Sequence, residues 1–269
     1  MYSAKIILDS INPVGNRLTT FEITYPRFVH AELMTHRMFS RNSASSRAIP
    51  NEKLRMRIQD DPVMPVYWGQ NQSGMQATEE LGNGIKTDAE TCWLQARNIM
   101  LGYATELANL GVHKQLCNRL LEPWMFITVI ITATEYENFF HLRCSPDAQP
   151  EIQKIACMMR DLYRSNQPCE MQLGEWHTPY IQPEEYHAIG IGARLKLSVA
   201  RCARVSYLTH DGKRDVEADR KLFERLRSSG HWSPFEHVAM ALNNNGPSGN
   251  FRGWHQYRKY FPEECHERI

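Results

Sequence analysis

Two alternating stretches decide how this chain begins to fold: Ala4-Lys5-Ile6-Ile7-Leu8-Asp9-Ser10-Ile11 and Leu18-Thr19-Thr20-Phe21-Glu22-Ile23-Thr24-Tyr25, joined through Pro13-Val14-Gly15-Asn16. Apolar and polar residues alternate on both sides of a Pro/Gly/Asn turn, the pattern of a β-hairpin with one face buried. An antiparallel sheet is therefore expected to open the fold. Next, Pro26 to Phe39 is predicted as a helix, because Phe28, Ala31, Leu33, Met34 and Met38 recur at helical spacing behind a first-turn proline.

Farther along, residues 50–86 are rich in Pro, Gly, Asn and Gln and are predicted to be a long surface excursion. A helix is expected from the Thr87/Glu90 capping pattern to Gly111, with Trp93, Ala96, Met100, Tyr103, Leu107 and Leu110 as its core stripe. Trp124 to Ala133 is too short to cross a bilayer and is read as a buried core element. Further helices are predicted over His113–Leu121, Thr134–Arg143, Asp147–Ser165 and Asp215–Ser229, and strand-like stretches over Cys202–Tyr207 and Phe235–Leu242. Helices mixed with separated strands predict an α+β fold, an antiparallel sheet with packed helices, as a single domain over 1–269.

The composition excludes several classes. Lys+Arg 31 against Asp+Glu 30 gives a net charge of +1, too little for a global field that would gather nucleic acid or an acidic membrane. Phosphate binding must then be local. No signal-peptide pattern occupies Met1–Ser10, and seven cysteines without a close pair suit reduced thiols, so the expected location is cytoplasmic. The eleven histidines include no metal-binding pattern such as H-E-x-x-H, so no metal is expected. Gly190-Ile191-Gly192 lacks the third glycine of a dinucleotide fingerprint. Cys265-His266 offers a thiol beside an imidazole, but in a polar C-terminal tail that lacks the fixed pocket a nucleophile needs.

The densest polar run is Thr35-His36-Arg37-Met38-Phe39-Ser40-Arg41-Asn42-Ser43-Ala44-Ser45-Ser46-Arg47. Basic groups followed by hydroxyls and an amide supply donors for phosphate oxygens or for the edge of a polar heterocycle. By composition alone, a Ser-rich surface loop is the plainer reading.

This run resembles the signature of flavin-dependent thymidylate synthases, R-H-R-x-x-S-x-N-E-x-S-x-R-Y, through His36, Arg37, Ser40, Asn42, Ser45 and Arg47. Thr35, Ser43 and Ala48 depart from it. Asn118-Arg119-Leu120-Leu121-Glu122-Pro123 is similar to that family's A-R-x-x-L-P element. Asn138-Phe139-Phe140-His141-Leu142-Arg143 followed by Asp147-Ala148-Gln149-Pro150-Glu151-Ile152 is similar to its N-F-x-x-L-R…H-A-Q-x-E-I element. Ala203-Arg204-Val205-Ser206-Tyr207 and His231-Trp232-Ser233-Pro234-Phe235-Glu236-His237 resemble its A-R-V-S and F-E-H elements. In the family these last two come first. The simplest account is a circularly permuted and divergent relative, in which 51–86 and 166–197 are unmatched insertions.

The resemblance implies a cofactor, FAD, with methylenetetrahydrofolate as carbon donor, NADPH as reductant and a deoxypyrimidine monophosphate as substrate, in a homo-oligomer, by family a tetramer. It implies that Arg143 polarises the base, that Arg47, Ser43, Ser45 and Arg119 line the nucleotide site, and that His36, Arg37, Ser40, Asn42, Asn138, Ser206 and His237 surround the flavin. For His237 alone, a satisfied core imidazole is the competing reading. The run Phe251 to Lys259 echoes Phe28 to His36, which would set Arg258 or Lys259 in place of the arginine missing at Thr35; a basic amphipathic helix packing through Phe251, Trp254 and Tyr257 is the alternative. The departures leave three outcomes open. They are methyl transfer to dUMP, hydroxymethylation of dUMP or of dCMP with Glu32 or Glu135 accepting the cytosine amino group, and a non-catalytic flavin- or nucleotide-binding relative.

Overall fold

In the computed structural model, which describes residues 1–205 and 215–265, the first two strands are β1 (Ser3–Ile11) and β2 (Arg17–Pro26), paired antiparallel with a bulge between Ile6 and Leu8. Gly15 in their turn has φ +86°, a conformation glycine adopts without steric cost. A 3-10 turn, Arg27–Val29, leads into the five-residue helix α1 (His30–Met34), followed by β3 (Ser40–Ser43), α2 (Asn51–Asp60), α3 (Asn83–Asn109) and α4 (Lys114–Cys117). After a 3-10 segment, Asn118–Trp124, come β4 (Phe126–Ala133), α5 (Glu137–Arg143) and α6 (Pro150–Ser165). The chain continues through β5 (Cys169–Glu170), β6 (Trp176–His177), α7 (Pro183–Ala188), α8 (Ile191–Arg204) and α9 (Val216–Ser228). It ends in short strands, β7 (Ala239–Ala241), β8 (Pro247–Ser248), β9 (Phe251–Arg252) and β10 (Trp254–Gln256).

The main sheet has the order β3-β4-β2-β1-β5, antiparallel except for the short parallel β1–β5 edge. Because side chains alternate across a strand, β2 and β4 each present two different surfaces. Phe21, Ile23 and Tyr25 with Ile127, Val129 and Ile131 point to one side, where Phe139 of α5 and Ile152, Ile155 and Met159 of α6 complete the largest core. The other side carries Thr20, Glu22 and Thr24 beside Thr128, Ile130 and Thr132. There Ile130 packs on Cys202 and Val205, and the Tyr180 hydroxyl donates to Glu22 Oε2 at 2.7 Å. A sheet covered on both faces explains why β4 carries apolar residues on both sides, Ile127, Val129 and Ile131 on one and Ile130 on the other, and reads without strict alternation.

Several boundaries differ from the sequence expectation. The helix predicted over Pro26–Phe39 stops at Met34, since Arg41 Nη1 donates to the Met34 carbonyl at 2.7 Å and the Thr35 hydroxyl to Glu32 O at 2.7 Å, closing the helix end. Within the predicted excursion 50–86, α2 forms and buries Leu54 and Ile58 against Trp124 and Leu121. Helix α3 starts four residues before Thr87. Its Trp93 and Met100 pack inward, whereas Tyr103 and Leu110 of the predicted core stripe are 54% and 74% exposed. Cys202 to Val205 belongs to the end of α8 and its cap and not to a strand, because Leu195, Val199 and Cys202 repeat at helical spacing into two cores. The Asp215 side chain caps α9 by accepting from Glu217 N and Ala218 N, so the helix predicted from Asp215 begins at Val216.

The C-terminal run is not a helix. Gly253 has φ +72° and a Cβ there would lie 2.4 Å from Asn16 Nδ2, so the chain turns between β9 and β10 where a helix would need to continue. No helix among the described residues is long and apolar enough to cross a membrane, and no group of three or more His, Cys, Asp or Glu among them is placed to hold a metal ion.

Candidate active site

Residues from two distant segments meet at the C-terminal end of α1. Arg143, the last residue of α5, donates from Nε to His36 Nε2 at 2.9 Å, and its Nη2 lies 3.3 Å from Thr35 Oγ1 and 3.4 Å from Glu32 O. These partners are separated by 107 residues of sequence between His36 and Arg143. Arg41 approaches the same helix end, giving hydrogen bonds to Met34 O and His36 O. Helix C-terminal carbonyls carry partial negative charge, which makes them natural partners for the two guanidiniums.

His36 sits between aromatic rings, stacked on Phe39 at 5.8 Å and edge-on to Phe139 at 4.9 Å. Desolvation, then the positive charges of Arg143 and Arg41, pull its pKa down to about 4. It is therefore neutral near pH 7, and accepting from Arg143 at Nε2 leaves its proton on Nδ1. Glu32 lies in the electrostatic reach of Arg143; desolvation raises its pKa, the guanidinium opposes that rise, and its Oε2 is buried with no hydrogen-bond partner. The half-exposed Arg143 fork thus faces a neutral imidazole, a hydroxyl and a carboxyl group. Such a set can stabilise negative charge on a planar heterocycle while reading its edge.

Strand β3 leads away from this cluster and contacts C-terminal segments. Asn42 Nδ2 donates to Cys202 O at 2.8 Å, and the Ser233 hydroxyl reaches Asn42 Oδ1 at 3.4 Å. Ser40 is buried, its hydroxyl 3.2 Å from Asn250 Oδ1 and 3.3 Å from Gln256 Nε2. One strand of the polar motif therefore touches α8, the 3-10 segment Ser233–His237, and the loop and strand around Asn250 and Gln256. Gln256 and Asn250 carried no signal in the sequence beyond their place in a polar C-terminal run.

Beyond β3, the loop Ser43 to Ala48 is held by Asn118, whose Nδ2 donates to Ser46 O at 2.7 Å and Ile49 O at 2.9 Å. Glu122 accepts from Ser46 Oγ at 2.9 Å and from Arg119 Nη1 at 2.7 Å. The Ser45 side chain accepts from Arg47 N. Arg119 and Arg47 are both exposed on this loop's surface. Asn118 and Glu122 were missed as site-forming residues although both lie in the motif that supplied Arg119. Nearby, Ala44, Ile49, Leu54, Ile58, Thr24 and Thr128 line part of a cleft of about 330 Å³ with Arg57, Asp60 and Asp61 at its edge. It shares no residue with the Arg143 cluster.

The remaining predicted residues are dispersed. Arg37 and Asn138 are exposed. Ser206 lies outside the described residues. His237 is fully buried and forms one end of a chain of hydrogen bonds: Ser10 Oγ to His177 Nδ1 at 2.8 Å, His177 Nε2 to Thr20 Oγ1 at 2.8 Å, Thr20 Oγ1 to Thr132 Oγ1 at 2.7 Å, and Thr132 Oγ1 to His237 Nδ1 at 2.8 Å. His237 Nε2 has no partner. Burial pulls both imidazoles down to about 3, so both are neutral. Within this chain His237 is a buried imidazole that ties the 3-10 segment to β4 through Thr132. Within the chain neither Arg258 nor Lys259 stands beside Thr35: Arg258 pairs with Glu236 Oε1 at 2.5 Å and Glu264 Oε2 at 2.6 Å, Lys259 with Glu264 at 2.7 Å, and the guanidinium beside Thr35 is that of Arg143.

A stretch of 62 residues is 40% identical to the flavin-dependent thymidylate synthase of Thermotoga neapolitana, covering 23% of this chain and 28% of that protein, so the aligned part spans less than a third of the relative's length. The crystal structure of the UMP/dUMP methylase PolB of Streptomyces cacaoi bound with 5-Br UMP superposes with a TM-score of 0.49 at 15% identity, over 61% of this chain and 88% of that one. The model of the family described as thymidylate synthase complementing protein matches residues 16–169, from the second strand of the hairpin through α6. That match takes in both partners of the His36–Arg143 contact and more than half of the chain, which therefore belongs to the thymidylate synthase complementing protein family.

Proposed function

We propose that this chain is a flavin-dependent transferase that moves a one-carbon unit from methylenetetrahydrofolate to C5 of a deoxypyrimidine monophosphate, dUMP in the first reading. The observation that carries the proposal is the hydrogen bond between Arg143 and a neutral His36, which brings two separate family motifs to one place. C5 of a uracil ring becomes nucleophilic when charge accumulates on its carbonyl oxygens. A fixed guanidinium aimed at that edge stabilises the charge as it develops, because its orientation is set before the reaction. Arg143 is assigned this role. His36 and Thr35 hold its fork, and the neutral state of His36 leaves Nε2 free of a proton to accept the Arg143 Nε–H.

Phosphate binding is assigned to Arg47 and Arg119 with Ser43 and Ser45, at the far end of β3. Among the described residues, Arg37 and Arg47 make no side-chain hydrogen bond or ion pair, a donor set that fits the anionic phosphates of a nucleotide and of a flavin dinucleotide. Arg37, His36 and the exposed Asn138 are assigned to FAD, whereas Ser40 and Asn42 act by holding β3 to its C-terminal neighbours. A bound flavin would supply the electron transfer that no side chain here provides. NADPH is the proposed reductant, and a homo-oligomer, by family a tetramer, the proposed assembly. The contacts of Asn42 with Cys202 and Ser233 support a permuted order, since they return the A-R-V-S-like and F-E-H-like segments to the strand that precedes them here.

A second reading concerns the base. The unpartnered Oε2 of Glu32 beside Arg143 suits an exocyclic amino group, which favours testing dCMP and a hydroxymethyl product. Incubation with FAD, methylenetetrahydrofolate and either dUMP or dCMP, with and without NADPH, followed by mass spectrometry of the nucleotide, separates the readings. A methyl gain on dUMP is the expected result, a hydroxymethyl gain or a dCMP product supports the second reading, and unchanged nucleotides under all conditions overturn the enzymatic assignment.

A further inference from the structure

The loop that carries His36 is gripped by a distant part of the chain. Strands β8 and β9 pair Ser248 with Phe251, which leaves Gly249 and Asn250 as the two residues of a tight turn. The half-buried Asn250 side chain reaches across 212 positions of sequence to donate from Nδ2 to the Met38 carbonyl at 2.9 Å. Its Oδ1 accepts from the Ser40 hydroxyl at 3.2 Å. Gln256, itself buried, donates from Nε2 to the same Oδ1 at 2.7 Å, so the amide meets Met38 with its NH2 side. Arg252, at the end of the same hairpin, holds the entry to α5. Its backbone N donates to Thr134 Oγ1 at 3.2 Å and its Nε to Glu135 Oε1 at 2.6 Å, just ahead of the helix whose last residue is Arg143.

Phe39 lies between these two grips. Asn250 ties the backbone before it and the side chain after it, and the Phe39 ring packs on Tyr136 at 5.1 Å and on Phe139 of α5 at 5.0 Å. The His36 ring rests on Phe39 and Phe139 in turn. We propose that Asn250 is a positioning residue of the Arg143 site: its bridge from Met38 to Ser40 seats Phe39, and Phe39 sets the His36 ring where Arg143 Nε donates to it. The inference rests on the reading of that contact as the place where the base binds. Asn250 acts through Phe39 and not on the substrate. Its hydrogen bonds carry the role and its volume does not, because a side chain of equal size without a donor leaves the Met38 carbonyl untied and the loop with more conformations to sample.

The test reads His36 in the full chain without added ligand. Diethylpyrocarbonate acylates the neutral imidazole, and peptide mass identifies the modified residue, so the rate at each pH, corrected for reagent decay, reports the protonation of His36 alone. Arg143 and Arg41 are the charged groups that act on this ring, and Glu32 acts on Arg143. With the ring seated its pKa is about 4, and the parent rate should be flat from pH 8 to pH 5. In Asn250→Ala and in the near-isosteric Asn250→Leu, both with the circular dichroism of the parent, the ring should return toward its ordinary protonation, and the rate should fall more than about tenfold over that range. Both variants should also lower kcat on dUMP at least about tenfold, the effect of a misplaced catalytic group. A flat profile in either variant would overturn the proposal; in Asn250→Leu alone it would mean that volume suffices. A parent rate that already falls on acidification would overturn it too, since the ring would not be seated. A parent inactive on every nucleotide would count against the assigned reaction, while the His36 profile still decides the role of Asn250.

Discussion

His36 and His237 occupy matching kinds of motif yet live in opposite surroundings. His36 is half-buried at a helix end with two guanidiniums beside it, whereas His237 is sealed between sheet and C-terminal segment with a threonine hydroxyl as its partner. Both are held neutral, the first by desolvation followed by positive charge, the second by desolvation. A neutral imidazole therefore says little by itself about role. Around His36 stand a half-exposed guanidinium and an unpartnered Glu32 Oε2, while His237 Nδ1 closes a chain that joins Ser10, His177, Thr20 and Thr132 across the sheet. The outward cluster should govern turnover and the inward chain should govern stability.

The largest expected effect breaks the outward cluster. Arg143→Ala should lower kcat by about 100- to 1,000-fold, the range for losing one preorganised charge stabiliser, with a nearly unchanged thermal midpoint. Arg143→Lys should restore little, since a point charge cannot hold His36 and a ligand edge together. A variant that loses stability in place of turnover would merge the two regions.

On the inward side, Thr132→Val removes the hydroxyl that joins Thr20 to His237 and leaves both short of a buried partner. A loss of about 2–3 kcal/mol in denaturant unfolding is expected, with nucleotide affinity of the folded protein unchanged. Weaker nucleotide binding at unchanged stability would return the chain to the active site.

Acid sharpens the contrast. His177 and His237 have folded values near 3, and His36 and His30 near 4, against an ordinary 6.5. Between these limits the unfolded chain binds more protons than the folded one, so stability is fully present above about pH 6.5 and falls as pH drops toward 4. Urea midpoints measured from pH 8 to pH 5 should decline, and His177→Gln should flatten that decline more than His36→Gln, because His36 is half-exposed. A flat profile in the parent would mean that the buried imidazoles do not control the fold. The smallest effect belongs to Arg258→Ala, which loses partly exposed ion pairs to Glu236 and Glu264 worth less than about 1 kcal/mol and should leave turnover intact. A large loss of turnover would restore Arg258 as the substitute for the arginine missing at Thr35.

The sequence made the hairpin legible because one face of each strand is apolar and the turn holds Gly15. It also made α6 and α9 legible through their apolar spacing. It concealed β4 as a strand, since burial on both faces removes alternation, and it misread Cys202–Val205 because β-branched and small residues near a helix end look strand-like in isolation. In the site, Thr35 to Arg47 stood out as a polar run, but nothing local tells that Arg143 reaches back to His36. The chain through Thr20, Thr132 and His177 was invisible because threonines in strands are ordinary and their facing depends on a register set by tertiary pairing.

The measurement closest to the central claim is release of tritium from C5-tritiated dUMP, which reports bond breaking at the carbon the transferred unit must occupy. With FAD, NADPH and methylenetetrahydrofolate present, the parent protein should release tritium steadily, release should cease when flavin is withheld, and Arg143→Ala should slow it by at least about 100-fold. Release that continues without flavin, or that proceeds equally fast in Arg143→Ala, would contradict the account.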